Sequence, residues 1–213
     1  YLHDLCPPEE RIAQIAKAAM NTQPVSQTAM DEGINPTMAV LKEQVAQAKK
    51  KNDFITAKAL LKTLKEIAPS ESKWVQQLAL MTYKSEFPDK VTALKEAAVI
   101  LEELRPMTSN NAETLGLWGA IYKHLFDISG DRDNLDMAIA AYEKGYRLLS
   151  DYYNGINWAY LLNVRASLST VKADAITDFV LAKRTREDLL KIADAKFAEL
   201  ESIKDVDDRD ARN

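Results

Sequence analysis

All seven prolines of this chain lie at or before Pro106, and six glycines are spread over 213 residues. Between these few breaks run long segments rich in Ala, Leu, Lys and Glu, with apolar residues every three or four positions. That spacing puts the apolar side chains on one face of a helix. No stretch alternates β-branched and polar residues between turn clusters, so strands are not expected. A chain built this way folds as an all-α protein, and its helices must bury their apolar faces against one another.

The helices come in pairs. A short helix is expected at 9–20, and residues 21–36 (NTQPVSQTAMDEGINP) read as a linker with two prolines and a glycine. Pro36 suits a first helical position, and the helix it opens runs to about Lys50. Lys51-Asn52-Asp53 is a turn with Asp53 as N-cap, and a second helix covers Phe54 to Ile67, ahead of Pro69. The pair fits the 34-residue tetratricopeptide pattern. Counting from Met38, Leu41 and Val45 face inward, Ala57 is the small residue where two helices cross, and Leu61 and Pro69 follow in register.

A second unit starts near Glu71 with Trp74, Leu78 and Met81, and its second helix, Val91–Leu104, ends at Pro106. Counting the third unit from Ala112 places Trp118, Gly119 and Tyr122 at positions 7, 8 and 11, with Ala138, Tyr142 and Gly145 on its second helix. Asp127–Asn134 (DISGDRDN) reads as a loop several residues longer than the standard turn. A fourth unit begins near Tyr152-Tyr153, passes through Asn157–Val164, and has a long second helix from about Val171. About four stacked pairs predict a right-handed helical-repeat solenoid over 37–204, preceded by residues 1–36 and followed by a polar tail, 205–213.

The stretch Leu117-Trp118-Gly119-Ala120-Ile121-Tyr122-Lys123-His124-Leu125-Phe126, the aromatic Ala141-Tyr142-Glu143-Lys144-Gly145-Tyr146, and Gly155-Ile156-Asn157 with Leu161-Leu162 carry a narrower likeness. They resemble the central regulatory region of the apoptosis signal-regulating kinases and the bacterial sensor tetratricopeptide proteins of the same family. The resemblance implies a non-enzymatic segment that senses a ligand or partner and regulates an effector domain elsewhere. In bacteria such segments are proposed to sense nucleotide-derived signals. Kinase motifs are absent, so only the sensor role carries over.

Charge narrows the partners. Residues 1–106 hold 14 basic and 14 acidic side chains, and residues 107–213 hold 14 and 18. Nucleic-acid binding needs a basic excess that neither half has. No apolar run approaches the ~18–20 residues that span a bilayer, so no membrane partner is expected. One cysteine, Cys6, fits a reducing, cytoplasmic setting. The start Tyr1-Leu2-His3 lacks an initiator Met and a signal-peptide pattern, and with the polar tail it suggests a piece of a longer chain.

No phosphate loop, nucleophile elbow or zinc-protease motif occurs, so neither an enzyme nor a cofactor is expected. With two histidines and one cysteine a zinc site would depend heavily on carboxylates; His3 and Cys6 read as a frayed fragment end, and His124 as a helix-surface or helix-end residue. Asp127, Asp131, Asp133 and Asp136 lack the spacing of a calcium loop, and capping accounts for them. Trp74, Trp118, Tyr122 and Tyr142 occupy core positions of the repeat.

Setting Ala159 at the small position 8 puts Tyr153, Asn157, Tyr160 and Asn163 at positions 2, 6, 9 and 12, the concave side of stacked repeats. The same count brings Lys42, Lys49, Tyr83 and Lys123 to that side, with Gly116 and Ala120 expected to leave room beside Lys123. Tyrosine faces stack a planar group, asparagines bond its edges and lysines meet an anion. The expected ligand is a small anion, nucleotide-like in shape. The alternative is a scaffold that docks a protein, a peptide, an effector domain of the full-length chain or a second copy.

Overall fold

A computed structural model describes the backbone of residues 36–210 and the side chains of residues 37–198. The expected helix at 9–20, most of the linker, and His3 and Cys6 lie outside the described residues. All regular structure among the described residues is helical, and the chain divides into two units at Arg105–Pro106. No helix among them is long and apolar enough to cross a membrane.

The first unit contains α1 (Pro36–Lys50), α2 (Phe54–Ile67), α3 (Ser72–Ser85) and α4 (Lys90–Glu102). Each helix packs on the next in sequence, as in tetratricopeptide pairs. Asp53 caps α2 by accepting from the Thr56 backbone N–H at 3.0 Å, and Asp89 caps α4 in the same way through Thr92. Each such cap satisfies a donor that the helix itself leaves unpaired. Leu41, Val45, Leu60, Leu61, Leu64, Leu78 and Met81 form the aliphatic core with Trp74. Ala57, Ala93 and Ala97 are fully buried, so small side chains stand where helices approach closely. Lys58 pairs with Glu96 at 2.6 Å, and Lys65 pairs with Glu103.

The second unit contains α5 (Ala112–Ser129), α6 (Arg132–Leu149), α7 (Tyr152–Leu168) and α8 (Lys172–Asp210). Neighbours in sequence again pack together, and α5 also touches α7. Here too alanines, Ala138, Ala159 and Ala182, are fully buried, and glycine makes still closer approaches. A Cβ on Gly119 would stand 2.8–2.9 Å from the ring of the fully buried Tyr142, and one on Gly145 would stand 2.6 Å from the Asn154 amide. Asn154 donates to the Ala112 carbonyl at 3.3 Å and to Asp151 at 2.8 Å, which ties α7 to the start of α5.

The long loop expected at Asp127–Asn134 is not there. α5 runs to Ser129 and α6 starts at Arg132, leaving Gly130 and Asp131 between them. Gly130 adopts φ +68°, which glycine takes without strain, and its N–H bonds the Phe126 carbonyl at 2.8 Å. Asp131 caps α6. The polar residues that look like a loop are two helix ends: the last exposed turn of α5 and the first turn of α6. α8 also continues through Asp210, into the segment expected as a polar tail.

Candidate functional site

The residues expected to line a binding surface fall into both units. In the first unit Lys42 and Lys49, seven residues apart, share one face of α1. The Lys42 ammonium stands 5.5 Å from the Trp74 ring centroid and that of Lys73 stands 4.6 Å from it, a cation–π arrangement. Lys49 donates to the Gln77 side-chain oxygen at 2.7 Å. Tyr83 is half-buried on α3. The partners given to Lys42 and Lys49 are a ring and an amide.

The second unit brings the rest of the set together. Tyr153, Asn157 and Tyr160 follow one another at i, i+4 and i+7 and therefore share a face of α7. Tyr153 is 51% exposed and Tyr160 52%. From α5, Lys123 donates to the Asn157 amide oxygen at 3.1 Å, and the Asn157 amide nitrogen donates to the Tyr153 carbonyl at 2.8 Å. The amide is thus held at both ends, with its oxygen aimed at the lysine. Lys123 is half-buried and forms no ion pair among the described residues.

Room beside Lys123 was expected at Gly116 and Ala120, and the structure corrects this. A Cβ on Gly116 would stand 3.1 Å from the Tyr153 ring, and Ala120 belongs to the buried core. Those small residues serve helix packing: Gly116 lets Tyr153 lean against α5, where its ring also meets Tyr142 edge-on at 6.0 Å. The open part of the site is the outward face of α7.

Asn163 lies three residues beyond Tyr160, on the edge of α7 turned toward α8. With its amide turned so that the oxygen rather than the nitrogen faces Arg186, the orientation that satisfies both groups, Asn163 accepts from both terminal nitrogens of Arg186, at 2.9 and 3.1 Å. Arg186 also donates to the Ala159 carbonyl at 3.1 Å. The face is therefore bordered by Lys123 on the α5 side and by Arg186 on the α8 side. The sequence reading missed Arg186. Its signal was available: aligning the small residues Ala138 and Ala182 puts Arg186 at the place of the core residue Tyr142, where an arginine calls for an explanation.

A second missed group lies at the other end of α7. Arg165 forms a fork with both Asp178 oxygens at 2.8 and 2.9 Å and reaches Asp136 at 3.0 Å, joining α6, α7 and α8. The Asp178 hydrogen bonds, opposed in part by burial, raise the guanidinium pKa above its ordinary value, so the charge is permanent. Of the other loop carboxylates, Asp127 stands 3.6 Å from the His124 ring and Asp131 serves as a cap. No group of three or more metal-ligating side chains occurs among the described residues.

A family model described as Tetratricopeptide Repeats-Sensor matches residues 53–162. It spans the units from α2 to the middle of α7 and includes Lys123, Tyr153, Asn157 and Tyr160. Comparison with curated proteins and with solved structures gave no match.

Proposed function

The chain belongs to the Tetratricopeptide Repeats-Sensor family, and we propose that it works without catalysis, as a regulatory module whose α7 face binds a small anionic, nucleotide-like ligand. One observation carries this reading. Lys123 is half-buried, is held by a neutral amide, and has no carboxylate to neutralise it among the described residues. The same unit neutralises Arg165 with two aspartates, and the first unit pairs Lys58 and Lys65 with glutamates. A cation pre-positioned by a neutral acceptor keeps its charge available to an incoming anion.

The flanking tyrosines give the ligand a second property. Exposed rings of Tyr153 and Tyr160 on either side of Asn157 offer apolar faces to a planar group. Binding here would lock α5 to α7, and that change in rigidity is what an effector domain on a longer chain would read. A reducing cytoplasm suits this role.

Calorimetric titration of a nucleotide panel tests the reading. Lys123→Ala should weaken binding by about 1.5–3 kcal/mol, the range for a hydrogen bond to a charged group. Asn157→Ala should weaken it less, and both variants should melt like the wild type. If no nucleotide binds and both variants behave as wild type in every assay, the reading is wrong.

One feature favours a second reading, docking of a protein partner. Phe179, Leu190 and Phe197 are exposed along α8 at spacings of eleven and seven residues, which place them near one stripe. A partner captured through this stripe would leave binding insensitive to Lys123 and Asn157.

A further inference from the structure

We propose that Arg186 reads the base of the bound nucleotide, and that the ligand class is a 6-oxopurine nucleotide such as a guanosine monophosphate. The inference rests on the binding reading for the α7 face and adds the identity of the base. A guanidinium carries five N–H donors. With the Asn163 amide turned to offer its oxygen, Arg186 uses three, one from each terminal nitrogen to that oxygen and a second from Nη2 to the Ala159 carbonyl, so Nε–H and one Nη1–H take no acceptor among the described residues. It forms no ion pair there either: its neighbours Glu187 and Asp188 are engaged with Lys183 and Lys191. Arg186 is thus a half-buried cation anchored by neutral acceptors, the same condition that marks Lys123.

The spacing suits one nucleotide. Lys123 is held at Asn157 and Arg186 at Asn163, six residues apart on α7, which is about 9 Å along the helix at 1.5 Å per residue. Tyr160 lies between them on the open face. A phosphate on Lys123 and a base stacked on Tyr160 bring the base edge to Arg186. The planar fork of arginine matches two adjacent acceptors, and guanine presents such a pair in O6 and N7. Adenine replaces O6 with an amino donor, which would face another donor. The base edge competes with Asn163 for the fork, and the amide can turn away as the ligand enters. A free nucleotide fits better than a strand, because residues 107–213 hold 14 basic against 18 acidic side chains.

Titration of guanosine, inosine and adenosine monophosphates against the wild type decides this directly. The guanosine and inosine forms, which share O6 and N7, should bind about tenfold more tightly than the adenosine form, the order expected for one bidentate base contact. Arg186→Lys keeps the charge and loses the fork, so it should remove that preference, while Lys123→Ala weakens all three and preserves it. Equal binding of all three by the wild type overturns the base assignment and leaves the anion site standing. No binding of any of them overturns both. A guanine-containing trinucleotide that binds more tightly than the mononucleotide would overturn the free-nucleotide assignment. Should Arg186→Lys unfold, the wild-type preference alone still decides the base assignment.

Discussion

The two units use one helix-pair plan, with fully buried alanines and leucines in both, and the second adds glycine contacts that the helices of the first lack. In the first, alanines Ala57, Ala93 and Ala97 make room at the crossings, leucines fill the core, and lysine–glutamate pairs sit toward the surface. In the second, Gly119 and Gly145 bring helices so close that a ring and an amide occupy the space a Cβ would need. The second unit also has exposed pairs, such as Arg147 with Glu143, and adds the Arg165 fork on a buried aspartate. An aliphatic core with small residues accepts many sequences of the right volume. Interlocked glycine, tyrosine and asparagine contacts accept few. The unit with the specific contacts is also the unit that gathers Lys123, Asn157, Tyr153 and Tyr160, and positional precision there is what the proposed binding face would require.

The largest effect should come from breaking the Arg165 network. Asp178 is buried, and Arg165→Met would leave its carboxylate without the fork that now holds it. Removal of one member of a buried pair costs ~3–5 kcal/mol, and the 39% exposure of the arginine side chain argues for the low end. Chemical denaturation should report a loss of about 3 kcal/mol. The double variant Arg165→Met with Asp178→Leu should recover most of it, since an apolar pair leaves no orphaned charge. A single variant as stable as the wild type would mean that the second unit does not depend on this contact.

Next in size are the crossings. Gly119→Ala adds one carbon against the fully buried Tyr142 ring and should cost about 1–3 kcal/mol, because the ring cannot retreat into a packed core. In the first unit Ala57→Leu is expected to cost a similar ~1–3 kcal/mol, with a larger insertion. Melting curves of the two variants compare the units directly. If Gly119→Ala is neutral, the second unit is as accommodating as the first and the two do not differ in tolerance.

Much of this architecture could be read from residues alone. Asp53 as a cap, the break at Pro69, and Ala57, Ala138 and Tyr142 as buried residues all follow from local rules, and the structure shows each of them. Local rules failed at Asp127–Asn134 because capping residues and loop residues are the same types: Gly, Ser, Asn and Asp. Along α7 the i, i+4, i+7 spacing was enough to put Tyr153, Asn157 and Tyr160 of the candidate site on one face, with both tyrosines exposed. The candidate site was not legible across helices. That Asn157 holds Lys123, that Arg186 holds Asn163, and that Gly116 is filled by Tyr153 depend on distances between elements, which periodicity does not encode. Such contacts need the register of α5, α7 and α8 at once.

The smallest effect tests whether the first unit, with its peripheral charges, is the more acid-sensitive of the two at its caps. Asp89 accepts from the Thr92 hydroxyl at 2.6 Å and from its backbone N–H at 2.9 Å. The hydroxyl bond is the leading cause that lowers the Asp89 pKa below its ordinary value of 3.8, and the backbone bond adds to it. The sign follows from the lowered value. Folding favours the carboxylate, so the stabilisation is complete above about 3.8 and is lost as pH falls through the lower folded value. Asp89→Asn keeps an oxygen for the Thr92 N–H and cannot titrate, so the acid-dependent part should vanish. Amide exchange in the first turn of α4, followed from pH 5 down to about pH 3, reads this locally. Protection should fall with acid in the wild type and stay level in the variant. If wild type and Asp89→Asn lose protection in parallel, the cap is not titrating and α4 frays in acid for another reason.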